Sequence, residues 1–220
     1  EGRNGPMARS FDAYAEYYRR WSHGWESQAL LRARGVAGEA GLQADFMALV
    51  DEMRYPPAIE PQAVREIKRI KARVESERLP QGAPPERHLK LGPGSLSAVE
   101  WLVQLLQLQH AAALPQLRTA STIEALDAAA AAGLVTPLQA DRLAEAWTLA
   151  SRLRSANTLW SGRASDLLPT DRRQLDGIAR MLGYAPGSAT ELEEHYMAVT
   201  RRARRIFEKL FYGGTGDRAE

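Results

Sequence analysis

The residues whose types and spacing could do chemistry are cations set beside glycines. In Lys90-Leu-Gly-Pro-Gly94-Ser-Leu-Ser-Ala-Val-Glu100-Trp101, a lysine and two glycines stand just before a helix-forming run. Gly92 and Gly94 would let backbone approach a phosphate, the helix start would offer unpaired N–H groups, and Lys90 would add charge. The same residues suit a tight turn whose glycines take dihedral angles closed to other residues. Spacing alone leaves both readings open. A second tract, Trp25 to Arg34, puts Gln28 and Arg32 one helical turn apart on one face, with Arg34 just beyond. A guanidinium suits bidentate recognition of phosphate or carboxylate. The alternative is a helix whose arginines pair locally or rim a core.

Nucleotidyl transfer needs carboxylates clustered around Mg²⁺, because the metal neutralises charge developing on the phosphate oxygens. No Gly-Ser pair here is followed shortly by Asp-x-Asp, and the acids alternate with Arg and Lys along predicted helix surfaces. No catalytic residue and no metal ligand is therefore assigned. There is no cysteine, which removes disulfides and thiolate chemistry and suits a reducing cytoplasm. His23, His88, His110 and His195 are scattered, with no pair at a ligand spacing. The basic runs Arg65 to Arg73 and Arg201 to Arg205 lack interleaved aromatics and read as solvated faces. With a formal charge of only +2, the pI near 9.0 overstates the positive field, so no nucleic-acid partner is expected.

Helical periodicity supplies the elements that must position these residues. One helix is predicted over about 11–34, with Ser10 as N-cap and a possible kink at Gly24. Others follow over 40–54 and 61–79, the last with an apolar stripe Val64, Ile67, Ile70, Val74 opposite a basic face that includes Lys71. Residues 80–87 form a turn-rich linker, and 88–92 could form one short strand. Ser97 with Glu100, Ser121 with Glu124 and Ser188 with Glu191 have capping-box spacing. They open helices over 97–113, 121–133 and 188–211, while Thr136-Pro137 opens one to about Trp160 and a shorter one covers 171–182. The expected fold is an all-α antiparallel bundle of about eight helices. The longest apolar stretch, Trp101 to Leu108, is interrupted by Gln104 and Gln107, so no membrane span is expected.

These motifs carry a resemblance. Glu1 to Pro6 with Ala8-Arg9-Ser10 resembles the segment directly after the last catalytic strand of bacterial glutamine synthetase adenylyltransferases, in which the preceding Asp-x-x-Leu-Arg-Pro supplies an expected metal-binding aspartate. Trp25 to Arg34 resembles that family's helix beside the active site. Lys90 to Trp101, followed by Val103 to Leu108, is similar to its Lys-x-Gly-x-Gly-Gly-x-x-Asp/Glu-Ile-Glu-Phe signature. Ser95 departs from the second glycine of the pair, and Ala98 from the acid before Val99-Glu100.

The resemblance implies the C-terminal helical region of the adenylylating half of a bifunctional enzyme. That enzyme transfers AMP from ATP, with Mg²⁺, to a tyrosine of glutamine synthetase and also removes it. PII signalling protein and glutamine set the balance. Residues 1–80 would abut an upstream nucleotidyltransferase core, 81–94 would be linker and glycine turn, 95–212 the C-terminal bundle, and 213–220 a frayed tail. The start at Glu1 reads as a cut edge. Arg32, Arg34, Lys90, Gly92 and Gly94 would border the nucleotide cleft, braced by Glu26 and Gln28. Neither ATP nor Mg²⁺ is expected on this stretch alone. The rival reading makes it a regulatory receiver for PII protein or glutamine.

Overall fold

The computed structural model describes residues 8–21, 24–80 and 82–213. The resemblance carried by Glu1 to Pro6 and, apart from Gly213, the frayed tail expected at 213–220 lie outside the described residues. Those described contain nine α-helices: α1 Phe11–Trp21, α2 Gly24–Leu30, α3 Ala40–Arg54, α4 Pro61–Glu77, α5 Leu96–His110, α6 Thr122–Ala131, α7 Pro137–Ser161, α8 Arg172–Met181 and α9 Ala189–Tyr212. The all-α expectation holds. Where a short strand was expected, His88 makes one isolated antiparallel bridge to Leu167, because the chain turns from Leu89 onward instead of extending. Of the helix expected over 11–34, the described residues form α1 and, from Gly24, α2, which ends at Leu30, short of 34. None of these helices is long and apolar enough to cross a membrane.

Side chains at the helix starts explain most boundaries. Glu39 accepts from the backbone N–H groups of Gly41 and Leu42 and so opens α3. Ser121 accepts from Glu124 N, and Asp171 from Gln174 N. Thr136 and Gln139 form a reciprocal capping box ahead of α7, with Pro137 in the first turn. Each such cap is worth about 1 kcal/mol. Two expected boxes are built differently. The Ser188 hydroxyl donates to the Glu191 carboxylate at 2.9 Å rather than accepting from backbone. Ser97 lies inside the first turn of α5, where its hydroxyl receives the Lys71 ammonium.

Two compact units divide the chain: Glu1–Ile67 with Gln104–Ala120, and Lys68–Val103 with Ser121–Glu220. In the first, α1 and α2 pack against α3. Arg54 ties this unit together, donating to the Leu30 and Ala33 carbonyls at 3.1 and 2.9 Å while pairing with Asp51. Its guanidinium also lies 4.9 Å from the Tyr55 ring centroid. In the second unit, α6, α8 and α9 pack on α7. Ala125 and Ala129 are buried on α6, and small side chains of this kind let helix axes approach closely. Leu153, Leu175, Ile178, Leu192 and Tyr196 form the centre of that core.

Lys71 departs from the sequence reading. It was expected on the basic, solvated face of its helix, yet it is 0 % exposed. Its ammonium pairs with Glu75 at 2.9 Å and donates to Ser97 Oγ at 2.9 Å. It also faces the rings of Trp101 and Phe207 at 5.9 and 5.6 Å. Burial pulls its pKa below the usual lysine value, and the nearby Glu75 and Glu100 oppose that. A buried ammonium persists only when paired and hydrogen-bonded, which these contacts supply.

Candidate functional site

The Lys90–Gly94 turn belongs to the second unit and is organised by His88. The imidazole Nδ1 accepts from the backbone N–H groups of Lys90 and Leu91, at 3.3 and 3.0 Å. Nδ1 must therefore be unprotonated, which places the proton of the neutral ring on Nε2. Burial lowers the pKa of this histidine, against the raising effect of the Asp166 carboxylate. Backbone bonds close the turn: Gly92 N to His88 O at 2.8 Å, Ser95 N to Gly92 O at 3.0 Å, and Ser97 N to Lys90 O at 2.9 Å.

Both glycines are buried and needed for packing. A Cβ on Gly92 would overlap the carbonyl oxygens of His88 and Pro85. Gly94 has φ +74°, and a Cβ there would overlap Thr200 O and the Arg204 backbone nitrogen of α9. The protein's own backbone lies where a side chain on either glycine would go, while Lys90 stands exposed on the turn. Ser95, one of the departures from the family signature, is fully buried. It donates to Leu89 O and accepts from Tyr196 at 3.2 Å. Burial pushes the Tyr196 phenol up to about 12, so it remains a donor. Ala98, the other departure, is 0 % exposed, so a carboxylate there would be desolvated at considerable cost.

Arg32 and Arg34 belong to the first unit. Both follow the end of α2 and are exposed. Arg32 donates to the Ala120 carbonyl at 2.6 Å. Arg34 lines a cavity of about 700 Å³ with Arg9, Phe11, Tyr14, Leu42, Phe46 and others. The two bracing residues are both engaged: Gln28 donates to Gln104 Oε1 at 2.7 Å, and Tyr17 donates to Glu26 Oε1 at 2.5 Å.

Sequence reasoning missed His88 and Lys71. A histidine two residues before a lysine-glycine turn is a weak signal, and Lys71 was hidden by its basic neighbours. Among the described residues, no three His, Asp or Glu side chains come together as a metal site requires. They do not fit a magnesium–nucleotide site, and no chemical step through one is assigned to them.

Similarity to known proteins fits this geometry. A family model described as glutamate-ammonia ligase adenylyltransferase matches residues 1–49, and one described as GlnD PII-uridylyltransferase matches residues 65–211. Relatives described as bifunctional glutamine synthetase adenylyltransferase/adenylyl-removing enzymes match nearly the whole chain. The one from Leifsonia xyli is 64% identical over 213 residues, covering 97% of this chain and 21% of the relative. The one from Streptomyces avermitilis is 53% identical, again over 97% and 21%. That from Mycobacterium leprae is 50% identical over 96% and 21%. The chain thus spans about a fifth of the length of these relatives. It belongs to the family of the GlnD PII-uridylyltransferase model, beside the bifunctional glutamine synthetase adenylyltransferase/adenylyl-removing enzymes that it resembles almost end to end.

Proposed function

We propose that this chain is the C-terminal helical part of the adenylylating half of a cytoplasmic glutamine synthetase adenylyltransferase/adenylyl-removing enzyme. It supplies wall and docking surface, and an upstream nucleotidyltransferase domain holds ATP and Mg²⁺ and performs AMP transfer to a glutamine synthetase tyrosine. The observation that carries this reading is the 64% identity across 97% of the chain with only 21% of the relative spanned. Arg32, Arg34 and Lys90 are each a proposed nucleotide contact, and each is placed only within its own unit. Gly92 and Gly94 contribute by fixing the backbone that carries Lys90.

The test incubates this chain, and separately a protein of the relatives' full length, with ATP, Mg²⁺ and glutamine synthetase. AMP should reach the tyrosine only with the longer protein, and transfer by the short chain would overturn the proposal. A second reading makes the chain a receiver for PII protein or glutamine. It is favoured by the matching model named for PII uridylylation and by exposed Leu138, Leu159, Trp160 and Met181 in the second unit. Titrating PII protein and glutamine against the chain separates the two: saturable binding supports the receiver, and none removes it.

A further inference from the structure

Arg34, proposed above as a nucleotide border residue, also lines a cavity in the first unit that has the features of a ligand site in its own right. Its volume of about 700 Å³ lies within the range of small-molecule pockets, roughly 300–1,000 Å³. The N-terminal turn of α1, the loop over 33–39 and the first half of α3 enclose it. The body of the cavity is apolar and partly aromatic: Phe11, Tyr14, Val36, Leu42, Phe46 and Met47. Phe46 meets Tyr14 edge to face, at 5.8 Å between centroids, so one aromatic wall is braced by another. Val36 is 77 % exposed and Leu42 55 % exposed, so the lining is open to a molecule from solution.

The polar groups are few and carry a sign. Arg9 and Arg34 line the cavity, and Arg34 makes no hydrogen bond or ion pair with any described residue. Glu39, the acid among the lining residues, already accepts from the N–H groups of Gly41 and Leu42 at 2.9 and 2.6 Å. Its carboxylate is engaged by the α3 start and does not pair with Arg34. Gln43 donates to Gly38 O at 3.0 Å, holding the loop that carries Val36 and Ala37. An apolar chamber with an uncommitted guanidinium at its edge selects a ligand with a matching division of character.

We propose that this cavity binds a small amphipathic anion: a flat apolar body inserted against Phe11, Tyr14 and Phe46, with one anionic group on Arg34. The inference shares Arg34 with the border reading above but rests on the first unit's cavity alone, so dye binding can fail or succeed whether or not the longer protein transfers AMP.

Two dyes with the same aromatic body separate the components, 8-anilinonaphthalene-1-sulfonate and the uncharged N-phenyl-1-naphthylamine. Each is titrated by fluorescence into the whole chain. The sulfonate should bind one saturable site about tenfold more tightly than the neutral dye, the scale of one charge-assisted contact. Arg34→Gln should erase that preference while leaving the neutral dye unchanged. Ala37→Trp, which fills the chamber from its loop, should weaken both dyes with the far-ultraviolet circular dichroism preserved. Equal affinities that Arg34→Gln leaves unchanged would overturn the anion assignment. Binding of both dyes to Ala37→Trp at wild-type strength would overturn the site itself.

Discussion

Both units pair the polar groups they bury, but the second shuts a charge off from water more completely: Lys71 is 0 % exposed, against 8 % for Arg54 in the first. The second takes polar groups inside and pairs them: Lys71 with Glu75 and Ser97, His88 with two backbone N–H groups, and Ser95 between Tyr196 and Leu89 O. Asn157 is buried there as well, donating to Leu167 O at 3.1 Å and accepting from Gln174 at 2.9 Å. Apolar side chains stand at the surface of both units, Trp21, Trp25, Val36 and Leu42 in the first and Leu138, Leu159, Trp160 and Met181 in the second, and in the first Val36 and Leu42 also line the cavity. A buried polar network fixes a unique arrangement at the risk of a large penalty when one member changes. An exposed apolar surface contributes little to stability and is available for binding. The buried polar groups of the second unit should therefore be intolerant of substitution, and the exposed apolar lining of the first unit's cavity forgiving.

The largest effect is expected at Lys71. Lys71→Glu would set a second carboxylate beside Glu75 inside the protein and should cost about 3–5 kcal/mol in urea unfolding. Lys71→Met keeps the length of the side chain without its charge. Because Glu75 is partly solvated, that variant should lie within about 1 kcal/mol of the parent. If Lys71→Glu were equally mild, the second unit would not shut its charge off more completely than the first.

Gly94 comes next. Gly94→Ala asks a left-handed residue to carry a Cβ and drives that atom into the α9 backbone at Thr200 and Arg204. Strain and overpacking together should cost about 3 kcal/mol, read as a lowered urea midpoint. Gly82 has a similar φ of +78° but nothing near its would-be Cβ. Gly82→Ala should therefore cost only the strain, about 1 kcal/mol, and equal losses at the two sites would refute the packing role given to Gly94.

His88 gives a smaller, pH-dependent effect. Its folded pKa lies below the unfolded value of 6.5, so between the two the unfolded chain binds more protons. The stability from the neutral ring is complete above about pH 6.5 and is lost as pH falls through the depressed folded value. His88→Asn keeps an acceptor for the Lys90 and Leu91 N–H groups but cannot be protonated. The difference in stability between parent and His88→Asn should favour the parent most above neutrality and shrink toward pH 5. A difference independent of pH would mean that Nδ1 is not the acceptor.

Much of the helical layout was legible because caps and periodicity are local. Thr136-Pro137, Ser121 and Asp171 each mark their helix within one or two residues of where it starts. The candidate site was less legible because its logic is long-range. Nothing near Lys71 in sequence announces Ser97 or Phe207, and the capping spacing of Ser97 with Glu100 was misleading because the Ser97 hydroxyl answers to that lysine. At Gly94 the spacing admitted a phosphate turn or, more readily, a tight structural turn, and it gave no sign that the backbone of α9, more than a hundred residues on, lies where a Cβ would go. The cavity at Arg34 was invisible for a related reason: α1 and α3 supply its walls from separate helices, and neither shows it alone.

The smallest effects should come from the exposed apolar lining of the first unit. Val36→Thr and Leu42→Gln each exchange an apolar side chain already largely in water for a polar one of similar size. Each should change unfolding stability by no more than about 0.5 kcal/mol. Leu42 follows the Glu39 cap by three residues, and its N–H donates to that carboxylate through backbone alone, so the cap survives the substitution. A loss above about 1.5 kcal/mol at either position would place these side chains among the unit's structural contacts. The contrast between the paired interior of the second unit and the available apolar cavity lining of the first would then fail at the positions where it is easiest to test.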